Sequence, residues 1–194
     1  MKRTIKYLTL ALFIFAGATA ESNSLDAQST LRIISLTPAT TEILFALGLD
    51  KEIVGVSSFC NYPPQAKEKE KVGTFSQANI EKILSLKPDI IFCTGLEQAP
   101  IVTELRRLKL KVCFSDPSNM EELFRSILEI GQLTRKEVNA QMLIENMKTA
   151  INEITLKTSP ILHGHRPKVF VELWGDPLMS AGQNSFLDEL ITLA

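Results

Sequence analysis

The sequence predicts an α/β fold: a parallel sheet covered by helices on both faces, one long helix, and the beginning of a second α/β unit. Three observations predict it. Strand-like and helix-like segments alternate from Leu31 onward. The strand-like runs are short, apolar and mostly β-branched, as in strands buried on both faces. From Thr134 a single helical pattern then runs unbroken to about Leu156.

The elements follow in order. Leu31 to Leu36 is an apolar run ended by Thr37-Pro38. Thr40 to Leu47 carries Ile43, Leu44 and Leu47 at helical spacing, and Gly48 stops it. Ile53 to Val56 is a second strand, and Ser57 to Gly73 is a loop with Pro63-Pro64 and a charge run from Lys67 to Lys71. Asn79 is placed to cap a helix carrying Ile80, Ile83, Leu84 and Leu86, closed by Pro88. Ile90 to Cys93 is a third strand, residues 98–109 a helix with Ile101, Leu105 and Leu108 inward, and Lys111 to Phe114 a fourth strand. Ser118 and Glu121 have capping-box spacing for a helix to about Ile130. Thr134 and Glu137 repeat that spacing and open the long helix, with Val138, Met142, Met147, Ile151 and Ile154 on its apolar stripe. At about 1.5 Å per residue it spans ~35 Å, long enough to run between two lobes. Pro160 to Pro167 is a breaker loop, Lys168 to Leu173 a fifth strand, and Ser185 to Leu193 the start of another helix. The organisation read here is a signal segment at 1–20, an N-terminal α/β lobe at 31–133, an interlobe helix at 134–157, and an incomplete C-terminal lobe at 168–194. The alternative is that the last strand joins the edge of the first sheet.

Composition narrows the function. Of 194 residues, 45% are hydrophobic and 22% charged, which excludes collagen-like, low-complexity and disordered classes. Lys+Arg 21 against Asp+Glu 22 leaves no basic stripe, so nucleic acid is not an expected partner. Lys2, Arg3 and Lys6 precede an apolar run from Tyr7 to Gly17 that is too short to span a bilayer. Ala18-Thr19-Ala20 then gives an A-x-A pattern. Together they read as a secretory signal peptide cleaved after Ala20, which exports the protein from the cytoplasm. Cys60, Cys93 and Cys113 are an odd set for an exported chain, and Cys93 and Cys113 sit in apolar runs as small core residues.

In an open α/β sheet, ligands bind outside the carboxyl ends of the strands. Those ends here are Leu36-Thr37-Pro38, Ser57-Ser58-Phe59, Thr94-Gly95-Leu96 and Ser115-Asp116, with Tyr62 and Phe75 nearby. Trp174-Gly175-Asp176-Pro177 is the equivalent turn of the second segment. Hydroxyls and a few aromatics suit a large, mostly neutral ligand. The sequence has no G-x-S-x-G, H-E-x-x-H, P-loop or G-x-G-x-x-G pattern, and nothing pairs a nucleophile with a base. No catalytic residue is nominated and an enzyme is not expected. His163 and His165 lack a third ligand and read as a solvated linker, so no metal site is nominated.

Four segments, in order, resemble one family. They are Arg32 to Gly48, Val54 to Pro64, Val72 to Phe75 followed by Asn79 to Ile91, and Val169 to Leu190 with Trp174-Gly-Asp-Pro177 and Ala181-Gly182. They look like the periplasmic cobalamin- and ferric-siderophore-binding proteins of ABC importers. The Ser-Ser-aromatic-x-x-Tyr-Pro-Pro segment leans toward the cobalamin branch. The resemblance implies two Rossmann-like lobes joined by a rigid helix, with the ligand in the cleft between them. It implies a surface Glu on each lobe that docks on Arg residues of the permease transmembrane subunits, and Glu81 matches the first of these. Phe59 and Phe75 match two cleft aromatics, whereas Thr94 stands where a third occurs in the family. The second Glu would lie beyond Ala194. The expected function is capture of a corrinoid and delivery to an ABC permease, with haem or a ferric siderophore as alternative ligands. Phe59, Phe75 and Trp174 would stack on the ligand beside Tyr62. Thr37, Ser57, Ser58 and Thr94 would donate hydrogen bonds. No intrinsic cofactor is expected, and the protein is expected to be a monomer. A chain that holds half a cleft and has no transport activity is the remaining alternative.

Overall fold

A computed structural model describes residues 30–160 and 167–194. The signal segment at 1–20 and the pair His163 and His165 lie outside the described residues. Four strands form one parallel sheet: β1 (Ile33–Ser35), β2 (Ile53–Val56), β3 (Ile90–Cys93) and β4 (Val112–Phe114), in the order β2-β1-β3-β4. β1, β2 and β3 each begin with paired Ile or Val residues, and β1 and β3 are buried at every position. That is the signature of strands covered on both faces.

The helices between them supply the two covers. These are α1 (Pro38–Ala46), α2 (Ile80–Ser85), α3 (Ala99–Arg107), α4 (Met120–Thr134) and α5 (Glu137–Thr158). One core joins Leu44 of α1 and its C-cap Leu47, Ile127 and Ile130 of α4, and Ala140 and Ile144 of α5 to Ile33, Ile53 and Phe92. The other joins Ile83 of α2 and Ile101, Val102 and Leu105 of α3 to Ile34, Ile91 and Cys93. Adjacent strand residues thus feed opposite cores, as the two-residue period of a strand requires.

Capping explains several boundaries. Asn79 accepts from the Lys82 N–H at 2.9 Å and starts α2, as expected. The box expected at Ser118 and Glu121 is displaced by one residue. Asn119 is the cap and accepts from the Glu122 N–H at 2.8 Å, while Glu122 accepts from the Ser118 N–H and Oγ at 2.8 and 2.7 Å. The box expected at Thr134 is absent. Thr134 belongs to the last turn of α4, its Oγ1 donating to the Ile130 carbonyl at 2.7 Å. Arg135 then takes a left-handed conformation, and α5 starts at Glu137.

The stripe expected on α5 is also corrected. Met147 packs half-buried against the core as expected, but Val138, Met142 and Ile154 are exposed, and Ala140 and Ile144 are buried. The reason is close helix packing: a Cβ placed on Gly131 of α4 would sit 2.6 Å from the Ala140 Cβ. Small residues mark the point of closest approach, not the bulky ones.

The C-terminal segment forms its own hairpin. β5 (Glu172–Gly175) pairs antiparallel with β6 (Leu178–Ser180), and it does not join the edge of the four-stranded sheet. The strand expected at 168–173 therefore begins later, because its partner across the Asp176-Pro177 turn fixes the register. α6 (Phe186–Leu193) returns to the first unit. Its Glu189 carboxylate accepts from the Met120 N–H at 2.9 Å, and the Leu193 carbonyl accepts from Thr155 Oγ1 at 3.0 Å. Among the described residues no helix is long and apolar enough to cross a membrane.

Candidate functional site

The carboxyl edge of the parallel sheet gathers most of the nominated residues. At the end of β1, Thr37 caps α1 and Pro38 opens it, the position where a missing N–H costs nothing. Thr37 is 2% exposed, and its Oγ1 accepts from the Thr40 N–H at 3.4 Å. Ser57, at the end of β2, is fully buried with Oγ 3.2 Å from Cys60 Sγ. Thr41 Oγ1 completes this cluster, lying 2.8 Å from the Thr37 carbonyl, 2.9 Å from Ser35 Oγ and 3.2 Å from Cys60 Sγ. The expectation that Thr37 and Ser57 offer hydroxyls to a ligand is therefore corrected. Buried polar groups are satisfied internally, and these two brace the edge from beneath.

Ser58, Phe59 and Tyr62 do face outward, with Phe59 58% and Tyr62 62% exposed. Two contacts hold their loop. The Ser58 N–H donates to the Gly73 carbonyl at 2.8 Å, and Lys71 Nζ donates to the carbonyls of Cys60 and Ala66 at 3.1 and 2.8 Å. Phe75 is half-buried on the adjacent turn, closed by Thr74 N–H to Gln77 carbonyl at 2.9 Å and Asn79 N–H to Val72 carbonyl at 2.8 Å. Thr94 follows β3 and is half-buried, with Oγ1 3.2 Å from an Asp116 carboxylate oxygen.

Trp174 lies within β5, not in the turn after it. It is 64% exposed, and its Nε1 donates to the Asp176 carbonyl at 2.8 Å. Phe59, Tyr62, Phe75 and Thr94 thus share one sheet edge, whereas Trp174 stands on the separate hairpin. Glu81 is exposed in the first turn of α2, just beyond the Phe75 turn.

Charge at the edge is sparse. The strand-end segments 36–38, 57–59, 94–96 and 115–116 contain no Lys or Arg and one carboxylate, Asp116. Beside it, at the end of β4, a shallow hollow of about 160 Å³ is lined by Ser115, Asp116, Glu122, Arg125, Ser126 and Glu129. Burial pushes the Cys93 thiol up to about 12 and raises that of Cys113, so both are protonated at neutral pH. The edge can stack on a flat or apolar surface and exchange hydrogen bonds with it. One residue escaped the sequence reading altogether. Gln98 is fully buried and reaches three segments of this edge, while in the sequence a Gln before Ala-Pro looks like any surface residue.

Residues 33–194 match the periplasmic binding protein family. The chain belongs to that family. It is 32% identical over 167 residues to an ABC transporter substrate-binding lipoprotein of Bacillus subtilis strain 168, covering 84% of this chain and 53% of the relative. Two crystal structures of family proteins carry the likeness into three dimensions. A possible iron-binding, periplasmic solute-binding protein of Staphylococcus epidermidis is 29% identical with a TM-score of 0.72, over 84% of this chain and 64% of that one. The periplasmic vitamin B12-binding protein BtuF of Vibrio cholerae is 29% identical with a TM-score of 0.71, over 84% of this chain and 63% of that one. The chain thus spans from about half to just under two thirds of the length of these family members.

Proposed function

We propose that this chain is the solute-binding component of an ABC importer, exported through its N-terminal signal segment, and that its ligand is a corrinoid. The observation that carries the reading is the exposure of Phe59 and Tyr62 at the carboxyl edge of a parallel sheet. Exposed aromatics on a braced loop lose little entropy on binding and offer flat apolar area. Phe75 and Thr94 extend the same edge, Ser58 adds a hydroxyl, and Trp174 faces the ligand from the hairpin. The absence of Lys and Arg from the strand ends favours a ligand without strong negative charge. That supports a corrinoid over haem, with its carboxylates, and over an anionic siderophore. Family membership and the named likenesses support the transport role. Within this reading α5 runs between two lobes, and Glu81 docks on the permease through steering and register, since an exposed ion pair is worth under about 1 kcal/mol. The binder acts as a monomer and performs no catalysis.

The test is a titration of the protein with cyanocobalamin, haemin and a ferric siderophore. Quenching of Trp174, the single tryptophan, is followed with inner-filter correction. Saturable quenching by cyanocobalamin that Phe59→Ala weakens at least tenfold is the expected result. Saturation by haemin or the siderophore alone would replace the corrinoid with that ligand. A folded protein that binds none of the three would refute the binding role for this polypeptide.

A further inference from the structure

Gln98 closes the turn Leu96–Gln98, and no part of it reaches solvent. A primary amide has one acceptor oxygen and two N–H protons. Here Oε1 accepts from the Thr94 N–H at 2.8 Å. Nε2 donates to the Leu36 carbonyl at 3.0 Å and to the Phe75 carbonyl at 2.8 Å. Both protons are committed, to segments 62 and 23 residues away in the chain. One side chain therefore ties together the end of β1, the end of β3 and the turn that carries Phe75.

We infer that Gln98 is a positioning residue of the ligand edge: its buried amide sets Phe75 and Thr94 against the end of β1. The inference rests on the reading that this edge takes the ligand. The chemistry is particular to glutamine. Glutamate keeps an acceptor for Thr94 but loses both donors and puts a carboxylate against two carbonyl oxygens. Methionine has similar length and neither function. Asparagine keeps the amide but is one methylene too short to reach all three partners.

The experiment compares wild type with Gln98→Met, Gln98→Glu and the milder Gln98→Asn. Amide hydrogen exchange is read by NMR, and cyanocobalamin affinity by Trp174 quenching. In Gln98→Met, or in Gln98→Asn should the first fail to fold, the Thr94 amide is expected to exchange at least tenfold faster. The Leu36 amide, bonded to the Phe92 carbonyl at 2.9 Å within the sheet, is expected to keep its rate. In Gln98→Glu, Thr94 keeps its protection. All three variants are expected to bind cyanocobalamin at least tenfold more weakly. Equal acceleration at Thr94 and Leu36 would overturn the inference, because the residue would then merely stabilise the whole fold. So would undiminished affinity in a variant whose Thr94 amide has been released. A wild-type protein that binds no corrinoid would overturn the functional reading, and the exchange rates of Thr94 and Leu36 would still decide whether Gln98 braces the edge.

Discussion

Replacing Gly73 with alanine tests how tightly the carboxyl edge of the sheet is built. Gly73 has φ +116, a region open essentially to glycine alone. A Cβ there would lie 2.3 Å from the Gln77 carbonyl oxygen, 2.8 Å from Ala78 Cα and 2.9 Å from Asn79 N. These are backbone atoms and cannot step aside unless the Phe75 turn opens. The backbone strain is about 1–3 kcal/mol. Opening the turn adds about 0.5–1.5 kcal/mol for each of its two closing hydrogen bonds. The stiffer unfolded chain offsets about 0.4–1 kcal/mol. Gly73→Ala is therefore expected to lose about 1–6 kcal/mol, centred near ~3, a large share of a typical domain's ~5–15 kcal/mol. Urea unfolding followed by far-UV circular dichroism measures it, with the slope unchanged. Gly95→Ala is the control, since Gly95 also has positive φ, +64, but no atom within 4 Å of a built Cβ. It should lose at most about 1.6 kcal/mol, the left-handed backbone penalty less the same unfolded-chain offset. A Gly73→Ala variant within about 0.5 kcal/mol of wild type would refute the reasoning, because that is the ordinary range for a surface change.

Two further outcomes follow from the side chains beneath the sheet and at the head of α4. Hydrogen bonds from the Ser118 N–H and Oγ hold the Glu122 carboxyl below the usual glutamate range. A lowered carboxyl stabilises the fold above the usual value, and the gain disappears as pH falls through the lowered one. Glu122→Gln should accordingly flatten the acid limb of a plot of urea midpoint against pH, and an unchanged limb would count against the contact. Cys60 and Cys93 are buried and the Cys93 thiol is pushed up to about 12. A thiol-specific disulfide reagent at pH 8 should leave both unmodified in the native protein and find all three cysteines in denaturant. Rapid native labelling of Cys93 would show that the sheet is not closed over it.

What could be read from the sequence depended on whether the deciding partner lay nearby. The apolar runs Ile-Val-Gly-Val at 53–56 and Ile-Ile-Phe-Cys at 90–93 announce buried parallel strands by themselves, and Asn79 caps a helix whose first N–H groups are its own neighbours. The long helix was legible as an element but not in its orientation. Its inward face is set by Gly131 on another helix, so the small Ala140 is buried and the large Met142 is not. The strand near 170 slipped for a similar reason, as Leu178–Ser180 chooses which residues pair. At the site, Phe59 and Tyr62 could be placed by the rule that loops after parallel strands face the ligand. The burial of Thr37 and Ser57 could not, because Thr41 Oγ1 links the Thr37 carbonyl and Ser35 to Cys60, 19 residues away, in a cluster that only the packed sheet brings together. Gln98 is the extreme case: its three partners come from three different segments.

The separate β5–β6 hairpin has a consequence for anyone who follows this protein by light. Every residue of both strands is exposed, and among the described residues the strands pair only with each other. Two-stranded ribbons are marginal in water, and such segments open locally at little cost while the core stays closed. The protein's single tryptophan is on that ribbon, whereas the helices that dominate circular dichroism are packed against the large sheet. The two optical signals therefore witness different events, and a melt watched by emission should run ahead of one watched by ellipticity. Only a molecule gripped by Trp174 and Phe59 together would draw the two curves into one.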